Sequence, residues 1–305
     1  MTTDHGTKVR TLEGSPYRSL EEFLQKHGPR PQVFSVYAAQ ENTIVGRAGT
    51  RLSFPAHALR HPNGQAVEGE IELHLTEVFG PAAMMLSNRS STSEDRLLES
   101  SGQIQIYAYQ NGSPLVLEEA LQVELPVPED LRNPLGMRLF EARHATVQAF
   151  PERKRFDWRL TETPMVHIRK LNGRKYYVFQ IHRFNSYECA GWLPVRRKTR
   201  VMVSVRPIIG TDKMDGELAF LSFPGLNTVV RMYRGGSAFT AFNIPAGLTA
   251  EVLILGIRGG QLYLGRNRFN QAKDKVANVY LRPCAEVDIL EVLQTIGTAA
   301  DTKTS

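Results

Sequence analysis

The chain has very little cysteine: two residues in 305, Cys189 and Cys284, 95 positions apart. Two thiols cannot supply a four-thiolate metal site, and they do not make a disulfide scaffold. The expectation is two reduced, partly buried side chains, with one long-range bridge as the alternative. No run of 18 apolar residues occurs, so no membrane-spanning helix is implied. The opening MTTDHGTKVRTLEGSPYRSL has no apolar stretch and does not read as a secretory leader. That points to the cytoplasm, or to export or the cell surface if a leader has been trimmed. There is no G-x-S-x-G elbow, no H-E-x-x-H, no C-x-x-C and no Walker lysine. There is also no internal repeat of roughly 20–50 residues. The common hydrolase, zinc-protease, thiol-redox and P-loop classes are thereby set aside, and no cofactor or metal is expected.

What is present is ordinary for a globular protein: 42% hydrophobic and 22% charged residues, enough to build a core. The net charge of +6 is unevenly placed. Residues 151–200 hold thirteen Lys or Arg against four Asp or Glu, so this stretch carries the whole positive excess.

The dominant pattern has period two. EIELHLTEV puts Ile71, Leu73 and Leu75 on one face; GQIQIYAYQ and LQVELPV do the same with Ile104, Ile106, Ala108 and with Leu121, Val123, Leu125. Such alternation marks antiparallel strands with one wet face. Asn172-Gly173, Asn111-Gly112 and Gly259-Gly260 sit between strand-like runs as hairpin turns, and Asn63-Gly64 marks another turn. Residues 17–28 predict a short helix, capped by Ser19, with Glu22 three positions on and Gly28 at its end. A basic, proline-led stretch, PVRRKTR (194–200), reads as a linker. Seven short strands follow it, then an amphipathic helix before Gly297. The expected fold is all-β: two antiparallel β-sandwich domains with short N- and C-terminal helices. The boundaries are a polar tail and helix over 1–31, sandwiches over 32–195 and 196–285, and a helix with a disordered tail over 286–305.

The stretch GRAGTRLSFPAHAL (46–59) has two readings. A phosphate cradle needs a glycine loop between a strand and a helix, followed by lysine. Here a strand follows, so the glycines are expected to turn a sheet corner and Pro55 to end the ladder. With Gly49, Thr50, Arg51, Leu52, Pro55, Ala58 and Leu59 in place, the segment resembles the ZU-type domain, the family of the zona-occludens protein, the netrin receptor and ankyrin. Residues 32–128 carry the resemblance, and 137–195 extend it toward the form seen in exported bacterial proteins. Those proteins read Gly-Trp-x-Asn-Cys-Asp where this chain has Gly191-Trp192-Leu193-Pro194. The last domain, with FPGLNTVVRMY and FNIPAG, is similar to the transthyretin-like, carboxypeptidase-regulatory-like sandwich. With no convergent set of acid, base and nucleophile visible beside this resemblance, the expected protein is a non-catalytic structural, adaptor or assembly module.

Three groups of residues are candidates for chemistry. His57 and His61 have a metal-like spacing but flank Pro62 in a turn-rich stretch, where exposed loop histidines are expected. Some ZU-type domains cleave their own backbone at a Phe-Ser bond beside a histidine. HRFNSYE offers His182 and Ser186 in the altered order Phe-Asn-Ser, which makes self-processing the competing enzymatic reading. The basic clusters are Arg153, Lys154, Arg155; Arg169, Lys170, Arg174, Lys175; and Arg196, Arg197, Lys198, Arg200. They are candidates for an acidic protein face, with Tyr176 and Tyr177 placed to stack on bases if the ligand is nucleic acid. Otherwise they decorate hairpin tips and edges. The expected work is protein–protein contact at exposed strands and loops, including strand addition at an open edge. The expected partner is another protein, acidic in one reading, or a second copy of the chain; nucleic acid or a membrane surface stands behind these.

Overall fold

A computed structural model describes residues 16–147, 150–194, 197–207, 213–270 and 276–297, with side chains described outside 144–155 and 207. The polar tails, 1–15 and 298–305, lie outside these residues. The fold is all-β: strands predominate among the described residues, with three short α-helices.

Alternate burial organises the first unit. The inward residues of Glu70–Val78, Arg96–Gln110 and Leu121–Pro126 are those of the period-two pattern, and all are buried in one cluster. An apolar side chain at every second position gives a ribbon one dry face, and two such sheets cover each other. One sheet runs Gln32–Tyr37, Glu70–Val78, Arg96–Gln110, Ser186–Trp192, Arg138–Val147, Phe150–Leu160. The facing sheet runs His167–Leu171, Arg174–Ile181, Leu121–Pro126, Arg51–Phe54, Asn42–Val45. All pairings along both paths are antiparallel. The Asn111-Gly112 and Asn172-Gly173 turns hold left-handed φ at both central residues, as two-residue hairpins of this hand require.

The glycine loop at 46–49 does cradle an anion, but one of its own. The Glu77 carboxylate accepts N–H bonds from Ala48 (2.9 Å) and Thr50 (3.0 Å) and from the Gln32 amide (2.9 Å). A Cβ at Gly46 would stand 2.5 Å from Glu77 Oε2, and Gly49 adopts φ +98°. Glycine at both positions lets the backbone wrap the carboxylate before it enters Arg51–Phe54.

The second unit goes beyond two open layers. Its strands close into a barrel in the order Lys198–Pro207, Ala238–Pro245, Leu226–Gly235, Gly216–Phe223, Thr249–Arg258, Gln261–Asn270, Val276–Cys284. Closure comes from a parallel pairing of the first and last strands, Met202 opposite Val276 through Pro207 opposite Leu281. The basic stretch read as a linker is therefore partly strand, from Lys198 onward.

Within the barrel, Thr249–Arg258 is buried on both faces. Ala250, Val252 and Ile254 point inward. Leu253, Leu255 and Ile257 point outward, where they join Leu218 and Phe220 of Gly216–Phe223 beneath three helices. These are α1 (Leu20–His27), α2 (Gly80–Leu86) and α3 (Glu286–Thr295). Helix α1 begins as the sequence indicates, with Ser19 Oγ accepting from Glu22 N–H at 3.2 Å. Helix α2 is new: at seven residues its stability comes from packing Met84 and Met85 into the cluster. Glu286 ties α3 to α1, accepting from Tyr17 Oη (2.5 Å) and Lys26 Nζ (3.1 Å).

The two units also meet directly. Ser91 N–H donates to Val229 O (2.8 Å), Thr228 Oγ1 to Leu98 O (2.8 Å), and Asn227 Nδ2 to Ser100 O (2.7 Å). The strand Leu226–Gly235 of the barrel thus seats against residues 90–100 of the first unit.

Two stability measurements check this account. Phe23→Ala is expected to cost about 3–5 kcal/mol, as for a large aromatic removed from a closed core. A urea midpoint equal to wild type would show that α1 does not support the barrel. Glu77→Ala is expected to cost about 1–3 kcal/mol, because three donors lose their acceptor. An unchanged midpoint would mean that the glycine loop is held by something else.

Candidate functional site

A cleft of about 810 Å³ opens at the seam between the two units. Its walls come from distant parts of the chain. The turn after α2 supplies Ser87, Asn88, Arg89 and Ser90; the long strand Arg96–Gln110 supplies Gln105 and Tyr107. Ala142, Arg143 and Phe156 come from the neighbouring hairpin, Asn185 and Ser186 from the start of Ser186–Trp192, and Arg231 and Tyr233 from the barrel. No Asp or Glu is among these lining residues.

Each arginine is held by its surroundings. The Arg89 guanidinium lies 5.3 Å from the Phe156 ring centre, and its Nη2 donates to Gln105 Oε1 at 3.2 Å. Arg231 lies 5.1 Å from the Phe220 ring centre. Arg143 Nη2 stands 3.7 Å from the carboxylate of Asp157, which is itself fully buried and accepts from Thr92 Oγ1 at 3.1 Å. Stacking uses the flat face of a guanidinium and leaves its edge N–H groups free to donate elsewhere. Burial pulls Arg89 below the usual guanidinium range, against the attraction of Tyr107 and Glu188.

Glu188 is fully buried two positions along the strand from Ser186. Its Oε1 accepts from Ser91 Oγ (2.9 Å) and Gln103 Nε2 (3.1 Å). Burial pushes its carboxyl up to about 7, opposed by these donors and by the charge on Arg89.

The residues singled out in the sequence are scattered across the molecule. Ser186 lines the cleft, whereas His182 lines a different depression with Glu141, Thr161 and Arg183. Arg169 pairs with the buried carboxylate of Glu124, which Arg51 also reaches at 3.0 Å. Lys170 and Lys175 face each other across one rung of the His167–Leu171 hairpin. Arg174 lies 5.9 Å from the Tyr176 ring centre and lines a third depression beside Pro126 and Pro128. Tyr177 is buried, with its hydroxyl donating to Pro134 O at 2.8 Å, and is not presented for stacking. Arg197, Lys198 and Arg200 are exposed at the start of the barrel. The side chains of Arg153, Lys154 and Arg155, and the whole of Arg196, lie outside the described residues. Cys189 and Cys284 are free, buried thiols; burial raises both, Cys284 to about 12. His57 sits in a turn at φ +62°. Among the described residues no three His, Cys, Asp or Glu side chains form a metal-binding group, and no helix is long and apolar enough to cross a membrane.

Arg89, Arg143 and Arg231 were not foreseen. They stand alone in their local sequences, and only tertiary structure makes them neighbours. No protein-family model matches the chain, and no match was found among curated proteins.

The buried carboxyl gives a pH test. Glu188 keeps its proton in the folded state up to about pH 7 but loses it near 4.5 when unfolded. The folded state therefore binds the extra proton between these values. Stability contributed by this group is full below about 4.5, falls as pH rises to 7, and is flat above. Glu188→Gln is expected to remove that decline and to gain about 1–3 kcal/mol at pH 8. Thermal melts of the two proteins that stay parallel from pH 4.5 to 8 would contradict this assignment.

Proposed function

We propose that the protein is a non-catalytic binding module that holds an acidic group of a partner molecule in the seam cleft. One observation carries this reading: three guanidiniums from three separate segments line a single cleft whose described lining holds no carboxylate. Burying a guanidinium costs solvation energy, and a bound anion restores it. Clefts between packed units are common ligand sites, and this one has drug-sized volume. The site works by electrostatics and hydrogen bonding; its hydroxyls, amides and arginines are recognition groups.

The adaptor character expected beside the ZU-type resemblance belongs to the same proposal. Its support is local: Leu52, Ala58 and Leu59 of the resembling stretch are buried, and the strand stops before Pro55. The partner in this reading is a protein or small molecule bearing negative charge, which joins the expected acidic partner to a defined place in the fold.

The test is calorimetric titration of the full chain with sulfate, phosphate and citrate at matched ionic strength. Saturable binding of at least one anion, weakening steeply as sodium chloride is raised, is expected. Arg89→Gln and Arg231→Gln are each expected to weaken it about 10- to 100-fold, the loss of one charge-assisted hydrogen bond. Heats indistinguishable from buffer for all three anions would refute the proposal.

A further inference from the structure

Resting on the reading of the seam cleft as an anion site, we propose that its ligand presents a phosphomonoester on a planar organic body. Two of the cleft's guanidiniums are anchored by neighbours, Arg89 on Gln105 and Arg143 beside Asp157, so their planes are held in fixed directions along the wall.

The shape of the anion follows from where these donors originate. Arg89 comes from the turn after α2, Arg143 from the Arg138–Val147 strand and Arg231 from the barrel. A carboxylate is planar, has two oxygens and is satisfied by one guanidinium fork. A phosphomonoester is tetrahedral, carries three terminal oxygens and a charge of about −1.5 to −2 at neutral pH. It accepts from donors that arrive from several directions, which is what three arginines on three segments supply. The serine hydroxyls and the Asn88, Asn185 and Gln105 amides of the lining add neutral donors.

Size separates an organic phosphate from the bare ion. The cleft holds about 810 Å³, room for far more than one phosphoryl group. The rest of its wall includes Tyr107 and Tyr233, flat surfaces suited to a ring. The same chemistry is offered by a small phosphorylated metabolite and by a phosphorylated aromatic side chain of a protein.

The full chain is titrated by calorimetry with phenyl phosphate, benzoate and a phosphotyrosine pentapeptide, each at pH 7.5 and fixed ionic strength. Phenyl phosphate is expected to bind at least tenfold more tightly than benzoate. Arg143→Lys keeps the charge but replaces the planar guanidinium with a single ammonium; it is expected to erase most of that difference while its melting temperature stays near wild type. The peptide binding more tightly than phenyl phosphate identifies a protein partner, and the reverse order identifies a small molecule; both support the phosphoryl class. Benzoate binding as tightly as phenyl phosphate, with either bound, overturns this inference and leaves the anion site standing. No binding of these ligands or of sulfate and citrate removes the anion site itself.

Discussion

One strand sets the terms for the whole molecule. Thr249–Arg258 is apolar on both faces, so a barrel alone leaves Leu253, Leu255 and Ile257 in water. The apolar area is large enough to demand a cover, and each such side chain contributes roughly 1.5–3 kcal/mol when buried. The cover is assembled from three places: α1 ahead of the first sheet, α2 between two of its strands, and α3 after the barrel. Because α2 belongs to the first unit, covering the barrel also fixes that unit against it.

The cleft is a by-product of this docking. The turn that leaves α2 carries Arg89 and Ser90, and Ser90 Oγ accepts from the backbone N–H of Arg231 in the barrel at 3.1 Å. Packing the helix therefore brings one arginine from each unit to the same seam. Polar residues lie behind the seam. Ser91 Oγ and Gln103 Nε2 both donate to Glu188 Oε1 in the interior, and Trp158 Nε1 donates to Ser90 O at 2.7 Å. Such a network holds only with its partners in register, so it fixes the position of the arginines in front of it.

Much of the fold is written in local pattern. Ile71, Leu73, Leu75 and their counterparts announce a half-buried strand because side chains alternate within a few residues of each other. The Asn-Gly turns announce hairpins for an equally local reason, left-handed φ. Barrel closure has no such mark, since Lys198–Pro207 meets Val276–Cys284 across more than two-thirds of a hundred residues of intervening chain. Seven residues of α2 are too few to show a helical period. The site was less legible than the fold. Clustered basic residues are conspicuous in a sequence, yet Arg169 serves a buried Glu124 and Lys170 faces Lys175 on a hairpin. The arginines that share a cleft stand at 89, 143 and 231 with nothing beside them to mark the meeting. HRFNSYE resembles a Phe-Ser self-cleavage site beside a histidine, but Ser186 and His182 line different depressions.

Glu286 has a mechanical meaning. It grips Tyr17, Lys26 and His27 from the far end of the described chain, so α1 and α3 lie side by side. A pull applied between those two ends falls first on a few side-chain bonds and a helix-to-helix contact. Helices held this way peel off one bond at a time, whereas the hydrogen-bonded ladders behind them would have to shear together. Under tension the protein would shed α1 and α3, leaving α2 alone over the outer face of the barrel, while the strand ladders were still intact.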